Sequence, residues 1–283
     1  MGIEKGGAFR IGGTTRVHRM GYGAMRLCGP YAAGWCEDRT APDRVLKHAL
    51  SLGIDFIDTA DSYGPHINEE QIAAALFPYP AKLVIATKGS TIRTPGDPAA
   101  RDYDNSPAYL RSAVEGSLRR LKLDRIALYQ IHRLDGRTPL DESLGALAEL
   151  RREGKIGHIG LSEVDLPTLQ AANAITPIAT VQNLYNLGQR QHQPVLDWCA
   201  AQGIGFIPWF PLAGGAAAAD TTKEIATGLG VSPGQVALAW LLAKSPAIML
   251  IPGTSSVAHL EQNVAACDLR LSDEDFSTLD SLA

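Results

Sequence analysis

The 283-residue sequence predicts an α/β fold, a single (β/α)8 TIM barrel with an N-terminal β-hairpin. Three observations carry this expectation. Apolar β-type runs alternate with amphipathic segments along the chain, as in parallel strands joined by helices. The runs number about eight, the count a closed barrel requires. The chain is 45% hydrophobic and close to the roughly 250 residues of one barrel, so residues 1–283 read as one domain around one large core.

Taken in order, residues Phe9–Val17 read as a short hairpin, with Gly12-Gly13 supplying positive backbone angles at its turn, placed to plug the barrel floor. The strands follow at Gly21–Met25, Phe56–Thr59, Leu83–Lys88, Ile126–His132, His158–Ser162, Thr180–Leu184, Gly205–Phe210 and Ile248–Pro252. Helical spacing of apolar residues marks Asp43–Leu52, Pro107–Leu121, Leu140–Arg152 and Gln235–Lys244. Ser106-Pro107 and Ser232-Pro233 place an N-cap before a first-turn proline, and Gly53, Gly154 and Gly203 mark helix ends. The longest irregular connection, Gly89–Asn105, holds Pro95-Gly96 and Pro98 and is a candidate substrate wall, together with Tyr31–Trp35. Leu271–Leu282 reads as a final amphipathic helix. A dinucleotide-binding doubly wound sheet is disfavoured, because Gly21-Tyr22-Gly23 lacks a third glycine and an immediate helix.

A net charge of −4, with Lys and Arg spread along the chain, gives no footprint for nucleic acid or an anionic membrane surface. No apolar run approaches the roughly 20 residues of a membrane span, and the N-terminus lacks a secretory core, so a cytoplasmic protein acting on small molecules is expected. Cys28, Cys36, Cys199 and Cys267 have no CxxC spacing and read as reduced thiols. His18, His48, His158 and His192 read as surface or packing residues, and Glu69-Glu70 and Arg151-Arg152-Glu153 as solvated helix faces. No recognisable metal set is present in the spacing.

In a parallel barrel, residues at the C-terminal strand ends face the active site. Asp58 ends the second strand with Tyr63 in the next turn, Lys88 ends the third, and His132 ends the fourth. Singly, each has an ordinary structural explanation. Together they form a proton-transfer device suited to reducing an aldehyde or ketone, which needs a hydride donor at carbon and a proton donor at oxygen. Tyr63 suits the second task if an ammonium stabilises its phenolate. Lys88 supplies that charge, Asp58 holds Lys88, and His132 orients the carbonyl oxygen.

These residues resemble the aldo-keto reductase family, whose pattern Gly-Ile-Asp-Phe-Ile-Asp-Thr-Ala-Asp-Ser-Tyr-Gly stands at Gly53–Gly64. Further similar segments are Ala86–Gly89, Tyr129–His132, Gly157–Ser162, Val181–Asn183, Pro208–Leu212 and Ile251–Ser256, in order over almost the whole chain. The resemblance implies Asp58, Tyr63, Lys88 and His132 as the catalytic tetrad and a nicotinamide cofactor. It places Ser162 and Gln182 at the carboxamide and Trp209, where the family usually has Tyr, under the ring, and counts Phe210 among the cofactor-binding residues. Glu163 stands where Asn is commoner, and a carboxylate accepts but cannot donate hydrogen bonds.

The same resemblance sets Gly23 and Ala24 beside the ribose, and Leu212, Gly214 and Gly215 in a turn near the pyrophosphate. It sets Thr254, Ser255, Ser256, His259, Gln262 and Asn263 at the adenosine phosphate, by a helix N-terminus. NADPH is the expected cofactor, with NADH also admitted because Gly253 and His259 stand where many NADPH-using members have Lys and Arg. The stretch Tyr63–Asn68 resembles a bacterial branch that includes pyridoxal reductases. This would bring His66 and Asn68 to a polar aromatic aldehyde, although Asn68 equally suits a helix cap over Glu69–Leu76. The competing functional class is a non-catalytic, cofactor-sensing regulatory subunit.

Overall fold

On three central strands the inward side chains pass from apolar to polar along the chain, Phe56 to Asp58, Ala86 to Lys88 and Leu128 to Gln130, and that gradient organises the molecule. In the computed structural model, which describes residues 2–94, 96–97, 99–212 and 220–282, a seven-stranded parallel sheet curls around the core. A hairpin of β1 (Ala8–Ile11) and β2 (Thr15–His18) comes first in the chain. The sheet then contains β3 (Tyr22–Gly23), β4 (Phe56–Asp58), β5 (Val84–Gly89), β8 (Ile126–Ile131), β9 (Ile156–Ser162), β10 (Thr180–Leu184) and β11 (Gly205–Trp209).

The eighth position is filled by residues 247–250. Leu250 N–H donates to Arg19 O at 2.7 Å and Gly21 N–H to Leu250 O at 2.8 Å, while Met249 N–H donates to Phe206 O at 2.8 Å. Parallel bridges Met20↔Leu250 and Phe206↔Ile248 therefore join the two edges of the sheet and close the barrel. This closure leaves the barrel sheet without an open edge. The first strand is shorter than the expected Gly21–Met25, because residues Ala24–Leu27 turn into a 3-10 helix.

Alternation along each strand sorts its side chains. Phe56, Val84, Ala86, Leu128, Ile207 and Met249 point into the barrel and form one buried cluster. Ile57, Ile85, Tyr129, Ile131, Ile159, Leu161, Val181 and Phe206 point out and join the larger cluster under the helices. The hairpin plugs the floor as expected: Ile11 and Val17 complete the interior cluster, and Gly12 and Gly13 have φ of 55° and 74°. Gly12 also leaves room for His158, whose Nδ1 would sit 2.3 Å from an added Cβ, and His158 Nε2 lies 3.1 Å from Thr14 Oγ1.

The coat includes α1 (Ala41–Ser51), α2 (Ile67–Leu76), α3 (Pro107–Leu121), α4 (Leu140–Arg152), α5 (Leu166–Ile175) and α6 (Gln193–Gln202). It continues with α7 (Asp220–Leu229), α8 (Pro233–Lys244), α9 (Val257–Ala265) and α10 (Asp273–Asp280). Ser106 caps α3 through Tyr109 N–H, and Ser232 with Gln235 forms a capping box on α8. Among the described residues no single helix is long and apolar enough to cross a membrane.

Two expectations about α2 are corrected. Asn68 lies inside the helix and caps nothing; buried, it accepts from Thr59 Oγ1 at 2.6 Å and donates to Ala24 O and Gln71 Oε1, both at 3.0 Å. Glu69 is fully buried instead of solvated, because Arg120 Nε reaches it at 2.6 Å and Thr87 Oγ1 donates to it at 2.6 Å. The connection Gly89–Asn105 is also more regular than expected. It folds into an antiparallel ribbon of β6 (Thr91–Arg93) and β7 (Arg101–Tyr103).

Candidate active site

At the polar end of the barrel, period-two alternation carries Phe56 to Asp58, Ala86 to Lys88 and Leu128 through Gln130 to His132. The register pairs Asp58 with Ala86 and Lys88 with Gln130, so these side chains meet on the inner face. A slip of one residue would turn them all outward.

Lys88, fully buried, donates to Asp58 Oδ1 at 2.5 Å and to Thr59 O at 2.8 Å. Asp58 Oδ2 accepts from Gln182 Nε2 at 3.0 Å and from Gln130 Nε2 at 3.2 Å. Gln130 has room because position 160 is glycine: a Cβ there would come within 2.8 Å of Gln130 Cγ. Lys88 Nζ also lies 5.3 Å from the centre of the Tyr63 ring. Tyr63 meets His132 edge to face, with ring centres 5.9 Å apart.

The electrostatics follow from burial and these neighbours. Burial disfavours the Lys88 ammonium, but Asp58 and Tyr63 outweigh it and hold its pKa above the ordinary lysine value. Burial raises the Tyr63 pKa, and Lys88 opposes that rise. Burial, then Lys88 and Arg133, drive His132 well below the usual histidine range, so it is neutral. Its Nδ1 lies 3.4 Å from Ser62 Oγ. With that hydroxyl donating, the proton resides on Nε2. The arrangement holds a phenol, a neutral imidazole and a fixed ammonium together, which is what protonating an oxygen at a polarised carbonyl requires.

A cavity of about 1310 Å³ opens over this cluster. Asp58, Tyr63 and His132 line it, as do the expected cofactor contacts Gly23, Ser162, Gln182, Trp209, Phe210, Leu212, Thr254, Ser255 and His259. Several expected contacts are not at its wall. Ala24 is buried with its carbonyl occupied by Asn68, Ser256 is the N-cap of α9, and Gln262 and Asn263 lie further along that helix. His66, which is exposed, and Asn68, which is buried, do not line it either. Gly214 and Gly215 lie outside the described residues. The expected wall segments line it together: Tyr31 and Ala32 lie against Thr91, Arg93, Arg101 and Tyr103 of the β6–β7 ribbon, with Arg93 donating to Ala32 O and Arg101 to Tyr31 O, both at 3.2 Å.

Glu163 proves to have a role the resemblance did not indicate. Its Oε1 accepts from Trp209 Nε1 at 2.5 Å and from Leu184 N–H at 2.6 Å, so the carboxylate faces the indole edge. Gln182, expected at a carboxamide, is engaged with Asp58. Sequence reasoning also missed Gln130 and Arg133. Gln130 was accessible from strand alternation, two residues before His132; Arg133 was not, since it follows the strand end. Among the described residues no cluster of three or more His, Cys, Asp or Glu could hold a metal ion.

A cofactor groove is supported by the packing. Gly23 and Gly253 approach so closely that a Cβ on either would come within 2.7 Å of backbone oxygen. Beyond them α9 presents its N-terminus, with Thr254, Ser255 and His259 on the cavity wall. Free N–H groups and hydroxyls there suit a phosphate, and the indole of Trp209 suits a flat ring.

The profile of the "Aldo/keto reductase family" matches residues 19–283. The chain belongs to that family. Family membership makes it an NAD(P)H-dependent oxidoreductase that reduces carbonyls. Pyridoxine 4-dehydrogenase of Escherichia coli is 44% identical over 278 residues, covering 96% of each chain. An uncharacterized oxidoreductase of Schizosaccharomyces pombe is 42% identical over 279 residues, 98% of this chain and 90% of the relative. Among solved structures, an aldo/keto reductase from Klebsiella pneumoniae in complex with NADP and acetate aligns with a TM-score of 0.83 and 28% identity, covering 97% of this chain and 94% of that one. The expected fold, family and enzyme class are thereby established.

Proposed function

We propose that this aldo/keto reductase uses NADPH to reduce an aromatic aldehyde, of which pyridoxal is the leading candidate, with Tyr63 as proton donor. The observation that carries the reading is the buried Asp58–Lys88 pair directly beside Tyr63 at the cavity floor. The Escherichia coli relative's name supports the substrate, and the NADP held by the Klebsiella protein supports the cofactor. The four thiols, unpaired in the structure, accord with a cytoplasmic location, and the single closed barrel accords with one domain.

In this reading Trp209 and Ser162 hold the nicotinamide, Gly23 lets the ribose approach, and Thr254, Ser255 and His259 hold the adenosine phosphate. When bound there, a reduced nicotinamide would supply the hydride that the carbonyl carbon takes up. His132 Nε2–H donates to the carbonyl oxygen and fixes its direction. Tyr63 gives its hydroxyl proton to that oxygen as negative charge develops. Lys88, kept charged by Asp58, stabilises the phenolate left behind. Gln182 and Gln130 hold the second oxygen of Asp58, so that Oδ1 stays on Lys88.

The test is NADPH and NADH oxidation with pyridoxal, a nitrobenzaldehyde and a simple diketone, for wild type beside Tyr63→Phe. Tyr63-dependent oxidation, fastest with pyridoxal and NADPH, is expected. Tight cofactor binding without turnover on any carbonyl would replace this reading with the sensor subunit.

A further inference from the structure

Four arginines line the cavity, Arg26, Arg93, Arg101 and, beside the His132 imidazole in sequence, Arg133. This residue follows β8 directly, next to His132. Its Nη1 donates to His132 O at 2.7 Å and to Ser162 Oγ at 2.9 Å. Its guanidinium carbon lies 5.9 Å from the centre of the Trp209 ring. Among the described residues Nε and Nη2 of Arg133 have no hydrogen-bond partner, and the side chain forms no ion pair. One nitrogen is thus anchored to the framework, while Nε and Nη2 are uncommitted among the described residues and the side chain belongs to the cavity lining.

Arg93 and Arg101 line the same cavity from the β6–β7 ribbon. Arg93 Nε is held by Ser62 O at 2.9 Å and Arg101 Nη2 by Tyr31 O at 3.2 Å, so both are fixed on the rim. The acidic residues lining the cavity are Asp58, committed to Lys88, and the exposed Glu37.

The cofactor's phosphates do not account for Arg133. Their expected site, Thr254–His259, follows the segment 247–250, which lies between β11 and β3. In the closed ring β8 is opposite that segment, with β9, β10 and β11 between them on one side and β5, β4 and β3 on the other. A guanidinium edge placed on the reacting side, and not on the phosphate side, matches a planar anionic oxygen group on the molecule being reduced.

We infer that Arg133 is a specificity residue that binds an anionic oxygen group, a carboxylate or a phenolate, carried by the carbonyl substrate on a part of the molecule other than the reacting carbonyl. The inference rests on the reductase reading and narrows its substrate class. The anionic group contributes binding and orientation, while the carbonyl oxygen remains with Tyr63 and His132. A phenolate beside an aldehyde and a carboxylate on an aromatic ring share this chemistry, and the assay separates them.

The experiment uses two matched substrate pairs with NADPH: 3-carboxybenzaldehyde against 3-carbamoylbenzaldehyde, and 2-hydroxybenzaldehyde above and below its phenol ionisation against 2-methoxybenzaldehyde at the same pH values. For the wild type, kcat/KM is expected to favour the anionic member of at least one pair by about tenfold or more, as for a hydrogen bond to a charged group. The pair showing the preference identifies the group. In Arg133→Met that ratio is expected to fall towards one, mainly through KM, while Arg133→Lys keeps part of it. NADPH affinity, read from quenching of tryptophan fluorescence, is measured on each variant to separate substrate effects from cofactor loss. Reduction of both pairs without a charge preference in the wild type, or a preference that survives intact in Arg133→Met, overturns this inference and leaves the reductase reading standing. No reduction of any aldehyde by the wild type overturns both.

Discussion

Trp209 Nε1 donates to Glu163 Oε1 at 2.5 Å, across the gap between the ends of β11 and β9. An indole has one donor and a carboxylate only acceptors, so each meets the other's need. Glu163 at this position is therefore not a defective amide but the acceptor that a tryptophan platform requires. It also adopts φ 55°, a left-handed conformation in which its carboxylate reaches both the indole and Leu184 N–H.

Truncating that acceptor should release the ring. Glu163→Ala leaves two donors unmatched, and losing a hydrogen bond to a charged group costs about 1.5–3 kcal/mol. NADPH affinity is expected to fall by about tenfold or more, with a shifted Trp209 emission spectrum. Glu163→Gln keeps one oxygen for both donors and should lie close to wild type. Equal cofactor affinity in all three proteins would remove Glu163 from cofactor binding.

Tyr63→Phe removes the proposed acid and retains the ring that packs against His132. General acid catalysis contributes about 10²–10⁴ in rate, and kcat is expected to drop by that factor with NADPH affinity retained. Steady-state assays beside fluorescence titration check both halves. Undiminished reduction by this variant would assign the proton elsewhere.

Lys88→Met should alter both stability and pH dependence. Removing one partner of a buried ion pair typically costs about 3–5 kcal/mol, here because Asp58 would remain charged and unmatched, and the melting temperature is expected to fall accordingly. Lys88 opposes the rise in the Tyr63 pKa caused by burial, so its loss raises that pKa further. Alcohol oxidation needs the phenolate and increases as pH rises through the Tyr63 pKa. Its rising limb should therefore move to higher pH in Lys88→Met. A limb at the same pH would separate Lys88 from Tyr63.

Asp61 is buried, and among the described residues its Oδ1 has no hydrogen-bond partner. Burial, then the nearby Glu69, raises its pKa well above the ordinary carboxylate value. The folded state therefore holds a proton that the unfolded state releases, and stability falls as pH rises from the unfolded pKa of about 3.9 towards the folded one. Asp61→Asn, which cannot ionise, is expected to melt higher than wild type at pH 8 and to lose most of that advantage near pH 4. Thermal melts across this range test the sign. Parallel curves for the two proteins would mean Asp61 is ionised in the fold.

Much of this molecule was legible without coordinates because barrel strands obey a period of two. Phe56 to Asp58 and Ala86 to Lys88 announce both the interior and the mouth, and Gly12-Gly13, Ser106 and Ser232 announce turns and caps through local backbone chemistry. The family followed from Gly53–Gly64 and the segments after it.

Tertiary structure alone decided which groups share partners. Glu69 and Glu70 are neighbours in sequence, yet only Glu69 turns towards Arg120 and Thr87 and is buried. Gln182, expected at a carboxamide, lines the cavity and braces Asp58, while Glu163 meets Trp209 across two strand ends. Arg133 is held by His132 O and Ser162 Oγ, which come from different strand ends. Local sequence dictates backbone conformation and the face on which a side chain emerges. The free energy of a buried charge or polar group depends on partners brought from distant segments, which only the closed barrel assembles.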